Sequence, residues 1–336
     1  MILLLAVFLV QDADSWEYRH AVQAFVNRKT MEQKSPQELL ALGDQRFRDA
    51  DFSGAWRIYT AMAETLPSDA AAPEALKALK EQALFSVARC GFGAGDFAGA
   101  YRGFEAFLAR LPDSDLSSGV YGAKWFLFQS ALELAKVGTK EHVLGVALYK
   151  SSKSGVDLLH QALLRFPREP FTDDFYLALG DFFLMKGQLD DAEKEYLFIL
   201  TPGQYEKTGS GPRAQLRLAQ IYIRRFDAVE YDVKTLSDAK REYEKFLSSW
   251  GGAKGNPEQL GALELTEDQL DKMIAEANAG IAGINEKLAE KEWNMAGWYL
   301  WKGKPKAAKI YLNSIKSNYP RTSWATKATE KLEQMK

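Results

Sequence analysis

Three histidines, His20, His142 and His160, and one cysteine, Cys90, are the residues of this 336-residue chain best suited to metal binding or nucleophilic attack. The histidines lie far apart, and none has the short helical spacing that puts two imidazoles on one face, so no metal site is expected. Cys90 has no histidine near it in sequence to draw off its proton. Gly91-Phe92-Gly93-Ala94-Gly95 resembles a phosphate-cradling loop, but Asp96 occupies the position where the last glycine belongs, and no strand precedes it. Lys207-Thr208-Gly209-Ser210-Gly211 lacks the Gly-Lys-Ser/Thr order of a nucleotide-binding loop. The acidic pairs Asp173-Asp174 and Asp190-Asp191 fall at expected helix starts, where carboxylates complement the helix dipole. The reading is a chain with no catalytic set and no cofactor.

Bulk properties point to a folded protein. Hydrophobic residues make up 46% and charged residues 26%, the balance of a globular chain. The net charge of −2 argues against a dedicated nucleic-acid binder. With one cysteine there is no internal disulfide framework. Ile2 to Val10 is an unbroken apolar run followed by polar residues, too short to span a bilayer. It fits the apolar region of an export signal, which makes residues 1–15 a signal-like segment; the alternative is a short buried strand or helix.

The remaining chain is organised by an internal repeat: a large residue, a small one, an aromatic, a second small one, another aromatic four later, and a closing proline. Tyr176, Leu179-Gly180, Phe183, Ala192 and Tyr196 form the clearest copy. Leu39, Leu42-Gly43, Ala55, Tyr59 and Pro67 form another. Leu84, Val87-Ala88, Ala100, Phe104 and Pro112 follow the same order. The last copy is Met295-Ala296, Tyr299, Gly303, Ala308, Tyr311 and Pro320. Small residues where two helices cross let their backbones approach, large ones fill the groove between hairpins, and proline ends the second helix.

Two further copies are stretched. Tyr121–Val137 pairs with Ser152–Phe166 across a long insertion, and Ala214–Arg225 pairs with Leu236–Ser249 across residues 226–234. Long loops in such arrays gather on one face and are candidate contact surfaces. Thr266 with Gln269 forms a capping box, and Leu265 with Leu270 a hydrophobic staple, opening a long helix. The pattern is that of the tetratricopeptide repeat. It predicts an all-α, tetratricopeptide-type α-solenoid of about six helical hairpins. The expected division is an N-terminal helix or linker at 16–36, an array at 37–250, a flexible glycine-rich linker at 251–263, and a C-terminal long helix with closing repeat at 264–336.

A repeat array of this kind binds proteins along the outward residues of its first helices. In the first two repeats the frame assigns those positions to Asp44, Phe47, Arg48, Gln82, Phe85, Arg89 and Phe92. The C-terminal unit offers a second candidate surface. It crowds together Trp293, Trp298, Trp301 and Trp324; most are expected in the hairpin core, and the excess in one unit could also anchor an interface, since tryptophan is enriched at binding hot spots. From Lys302 onward there are nine Lys/Arg against Glu330 and Glu333, an excess of +7. That charge would steer an acidic partner or an anionic membrane surface, and equally suits a solvated cap. Trp301, Lys302, Lys304, Lys306 and Arg321 are the candidate binding residues there.

The closing stretch Trp293–Leu332 resembles the BamD family of envelope proteins. The residues that carry the likeness are Ala296 and Tyr299, Lys302-Gly303-Lys304-Pro305-Lys306-Ala307-Ala308, Tyr311, and Tyr319-Pro320-Arg321-Thr322 leading to Ala325 and Ala328. Tyr-Pro-x-Thr endings also occur in the Tol-Pal-associated CpoB type. The resemblance implies a non-enzymatic scaffold at the periplasmic face of the outer membrane. Its implied partners are the β-barrel assembly subunit and unfolded outer-membrane proteins. No cysteine follows the apolar run, so the lipid anchor of that family has no acceptor there, and membrane association is expected to be indirect or peripheral. The alternative is an adaptor for another envelope or cytosolic complex, cytoplasmic if residues 2–10 do not direct export.

Overall fold

The computed structural model describes residues 15–143, 146–228 and 233–335. The signal-like run at 2–10, parts of both insertions (144–145 and 229–232) and Lys336 lie outside them. The chain divides into two compact units, Met1–Phe175 and Tyr176–Lys336. Among the described residues are fourteen α-helices and five short strands. The fold is an all-α, tetratricopeptide-type solenoid.

The first unit opens with β1 (Trp16–Arg19), β2 (Ala24–Asn27) and β3 (Gln33–Lys34), an antiparallel sheet in that order. The expected helix or linker at 16–36 is therefore corrected. Trp16 and Tyr18 alternate with polar residues and are buried, the period of a strand. The side chain of the buried Asn27 accepts hydrogen bonds from the backbone amides of Lys29 and Thr30, at 2.9 and 3.0 Å, and so fixes the turn. Trp16, Tyr18 and Phe25 pack into the same core as Leu39, Ile58 and Tyr59, so the sheet caps the first hairpin.

The hairpins follow. In the first unit they are α1 (Pro36–Arg48) with α2 (Phe52–Thr65), α3 (Glu74–Gly93) with α4 (Phe97–Arg110), and α5 (Ala123–Val137) with α6 (Lys153–Arg165). The insertion inside the third hairpin carries β4 (Thr139–Val143) and β5 (Val146–Ser151), paired antiparallel. The unit boundary falls within α7 (Thr172–Met185), whose partner is α8 (Leu189–Ile199). The second unit continues with α9 (Ser210–Ala228) and α10 (Val233–Trp250), then the short α11 (Pro257–Ala262), the 35-residue α12 (Glu267–Trp301), α13 (Pro305–Asn318) and α14 (Ser323–Gln334).

The glycine-rich stretch at 251–263 is not a loose joint. Ala253, Leu260, Leu263 and Leu265 are all buried in the core formed by α9, α10 and α12. Asn256 caps α11 by accepting from the Gln259 amide at 3.2 Å, and Lys254 pairs with Asp271 at 2.7 Å. Glycine content signals a loop, but three buried apolar side chains within it, with Leu265 just beyond, fold it onto the hairpin. At the start of α12 the capping box is present: Gln269 N donates to Thr266 Oγ1 at 3.2 Å and Thr266 N to Gln269 Oε1 at 2.9 Å. Ser35 and Glu38 cap α1 in the same way.

Small residues set the helix crossings. A Cβ on Gly43 would stand 2.8 Å from a ring carbon of Tyr59, and one on Gly180 would stand 2.5 Å from the ring of Tyr196. Each tyrosine lies in the space its glycine vacates.

Four hairpin turns share one backbone design. Ala50, Gly95, Gly187 and Gly303 have φ of 60°, 79°, 73° and 67°. In each, the amide of the following residue donates back to the carbonyl five positions before it, as in Asp51 to Arg46 and Gln188 to Phe183. Three of the four use glycine; Ala50 holds the left-handed conformation with a Cβ, which costs about 1 kcal/mol. Ala50→Gly should therefore raise stability by about 1 kcal/mol, whereas Gly180→Val should lower it by about 2 kcal/mol or more through overpacking against Tyr196. Urea midpoints of the two variants should move in opposite directions from the parent; movement the same way contradicts this account.

Candidate functional site

The first helices of three successive hairpins bring aromatic side chains onto one face of the first unit. Phe47 comes from α1, Phe85 and Phe92 from α3, and Trp125 and Phe126 from α5. Phe126 is the hub. It stacks on Phe104 at 5.1 Å with rings nearly parallel, and meets Phe92 at 5.3 Å, Phe85 at 5.9 Å and Trp125 at 5.0 Å, edge to face. Trp125 in turn touches the exposed Tyr121 at 4.9 Å, so the row runs out to solvent.

Arg89 stands among these rings. Its guanidinium carbon is 4.7 Å from the centre of Phe47, 5.8 Å from Phe85 and 6.0 Å from Phe126. Half-buried, it has no carboxylate within ion-pairing distance among the described residues. Cation–π contacts hold it in place but leave its N–H donors unmatched by an anion. Phe85 and Phe104 are buried while Phe47, Phe92, Trp125 and Phe126 are half-buried, so the arrangement is a partly exposed aromatic patch bearing one positive, bidentate-capable group. It can accept an apolar or aromatic side chain beside a carboxylate.

Of the positions expected from the repeat frame, Phe47, Arg89 and Phe92 lie half-buried in this cluster, whereas Phe85 is not outward: it is buried against Phe104 and Phe107 of α4, at 5.6 and 5.7 Å, because it fills the groove between the two helices. Asp44 is engaged inside the first hairpin: its carboxylate accepts the Tyr59 hydroxyl at 2.6 Å. Arg48 and Gln82 are exposed and make no ring contact with the cluster. Phe126, Trp125 and Tyr121 were not among the expected residues. The run Tyr121-Gly-Ala-Lys-Trp125-Phe126 carried the signal, but the long insertion after α5 hides the repeat frame that would have placed it.

In the second unit Asp181 repeats the role of Asp44, accepting from Tyr196 Oη at 2.7 Å, and also pairs with Arg217 at 2.8 Å. Asp190 is bound by Arg225 at 2.6 Å and Asp191 by Lys194 at 3.1 Å. These carboxylates at the start of α8 are thus occupied by structural pairs. Among the described residues no group of three or more His, Cys, Asp or Glu gathers as a metal site would need. Cys90 is buried, and burial pushes its thiol up to about 12, away from the thiolate form that reacts.

The four C-terminal tryptophans divide. Trp293 and Trp324 pack together at 5.6 Å in the closing core, while Trp298 and Trp301 face solvent. Lys302 lies 4.3 Å from the Trp301 ring and 5.8 Å from Trp298. Lys304, Lys306 and Arg321 are exposed.

These hairpins, with a small residue under a tyrosine and a Schellman turn between helices, define a tetratricopeptide-type array. No family model matches the chain, and no curated protein matches it in sequence. Among solved structures it is similar to the C-terminal part of a TPR repeat-containing protein from Cytophaga hutchinsonii, at 14% identity over 86% of this chain and 98% of that one, with a TM-score of 0.35. It is also similar to a thermophilic TPR protein from Thermus thermophilus, at 21% identity over 69% of this chain and 100% of that one, with a TM-score of 0.30.

The tyrosine–aspartate pairs carry a pH signature. Burial first, then the hydrogen bond to Asp44 or Asp181, raises the Tyr59 and Tyr196 phenols far above their ordinary value of 10.0. Burial raises Tyr176 and Tyr243 to about 12. A phenol that ionises later in the folded state gives stability that is complete below pH 10 and declines as the unfolded chain loses protons above it. The buried Cys90 thiol adds the same kind of loss from its ordinary value of 9.0 upward, so denaturant midpoints should be level up to about pH 8 and fall progressively between about pH 9 and about pH 12. A flat profile across that upper range would show these phenols not to be sequestered.

Proposed function

We propose that the chain is a non-enzymatic protein-binding scaffold of the bacterial cell envelope that supports assembly of outer-membrane β-barrel proteins. The observation that carries the binding reading is Arg89, a guanidinium framed by phenylalanines from three successive first helices and without a carboxylate of its own among the described residues. An unfolded barrel strand alternates apolar and polar side chains, and an extended segment of this kind would lay aromatic groups on the phenylalanine row and a carboxylate at Arg89. The envelope assignment is supported by the sequence resemblance of Trp293–Leu332 to the BamD family and by the export-like run at 2–10.

The test has two parts. A urea-unfolded outer-membrane barrel polypeptide, diluted into the full-length protein, should bind with an affinity that Arg89→Glu weakens about tenfold or more. Equal binding by Arg89→Glu removes the site. Separately, a tagged copy in its native cell should fractionate with the envelope and crosslink to a barrel-assembly subunit. Recovery in the cytosol, or crosslinks only to division or peptidoglycan machinery, would replace the assembly role with that of an adaptor for those complexes.

A further inference from the structure

The end of the second unit carries charges that fold stability does not call for. Between residues 302 and 329 there are seven Lys/Arg and no Asp or Glu. Two of the lysines flank the start of α13: Lys304 is its N-cap and Lys306 lies in its first turn, which holds no acidic residue. A helix N-terminus is the positive end of the dipole, so cations there are unfavourable. The same chain places Asp190 and Asp191 at the start of α8, and Glu267 and Asp268 at the start of α12. The basic start of α13 runs against that usage. Lys302, Lys304 and Lys306 are exposed and have no ion-pair partner among the described residues.

Apolar side chains stand among these lysines. Trp301 is 75% exposed, Ile310 69% and Trp298 48%. Trp298 and Trp301 are three residues apart on α12 and so lie on one side of it, with Lys302 against both rings. Lys306 and Ile310 are four apart on α13 and share a face. Trp293 and Trp324, in the same unit, show that the closing core takes indoles where they contribute packing. Trp298 and Trp301 contribute little there.

We propose that this end of the second unit docks on an anionic lipid bilayer, with Trp298 and Trp301 seated in the headgroup region and Lys302, Lys304 and Lys306 on lipid phosphates. Protruding indoles beside lysines are suited to a soft interface. There the ring is amphipathic, no shaped pocket is needed, and each lysine near an anionic surface adds attraction. An acidic protein segment would use the lysines but would have to supply its own cavity for a tryptophan three-quarters exposed. No described helix is long and apolar enough to cross a membrane, so the contact lies on the surface of the bilayer. The proposal does not depend on the Arg89 site.

The full-length protein should be floated with vesicles of phosphatidylcholine containing phosphatidylglycerol, and with phosphatidylcholine alone. Binding is expected to the first and not the second, weakening as salt is raised. Lys302→Glu with Lys306→Glu should raise the vesicle dissociation constant about thirtyfold or more, and Trp298→Ala with Trp301→Ala about tenfold. All four side chains are exposed, so circular dichroism and melting temperature should match the parent for both variants. Failure of the parent to float with anionic vesicles overturns the proposal, as does unchanged flotation of both variants. Capture of soluble polyglutamate without vesicle binding also overturns it and gives the surface to an acidic protein partner.

Discussion

Each hairpin of this protein depends on how closely its two helices can approach. Gly43 beneath Tyr59 and Gly180 beneath Tyr196 show the constraint most sharply: the second helix sets a whole aromatic ring where the first has no side chain. The phenol is then too deep for water, and an aspartate one residue after the glycine supplies its hydrogen bond. Glycine, aspartate and tyrosine act as one unit. The glycine gives the room, the tyrosine fills it, and the aspartate satisfies the one polar atom that filling would otherwise strand. Elsewhere alanine takes the small position, as at Ala88, Ala219 and Ala296, all of them buried.

Once the crossing is fixed, the rest of each hairpin follows from its turn. In the four hairpins with short turns a residue with positive φ ends the first helix and its neighbour's amide reaches back five residues, and in the first two Asp51 and Asp96 cap the second helix by accepting from Gly54 and Gly99 at 2.9 Å. Two antiparallel helices then present inward faces that are consumed by packing and outward faces that are not. The aromatic row around Arg89 lies on first helices of the first unit. Arg89 has rings rather than carboxylates about it because its neighbours at that level are Phe47, Phe85 and Phe126. A charge held so is positioned by rings, with no ion pair of its own among the described residues.

The paired and unpaired charges of the second unit make a useful contrast. Around α8 and α9, Asp181, Asp190 and Glu193 are met by Arg217 and Arg225, and the buried Glu242 is served by Gln215 and Lys245. Those carboxylates knit adjacent helices. Near α13 the exposed lysines have no such opposites, and the helix they introduce starts without an acid. Charges that serve the fold come with partners, and those that do not face outward.

The repeat by itself determined the hairpins, their small crossing residues and the capping box that opens α12, because all of these are set within one or two turns of helix. Its frame also named Phe47, Phe85, Arg89 and Phe92 as outward positions, but Phe85 is buried against Phe104 and Phe107. Local pattern failed where distance mattered. The strands at 16–34 are too short for their alternation to stand out, and they hold because Trp16, Tyr18 and Phe25 find a core in α1 and α2. Residues 251–263 read as a loop from their glycines and became packed structure because α9, α10 and α12 bury three of their apolar side chains, Ala253, Leu260 and Leu263. Asp44 was indistinguishable in sequence from a free surface carboxylate until Tyr59, fifteen residues on, was seen to claim it. Phe126 and Trp125 joined the site only when three hairpins were stacked. Periodicity records which side of a helix a residue lies on; which neighbour that side meets is decided by packing between segments far apart in the chain.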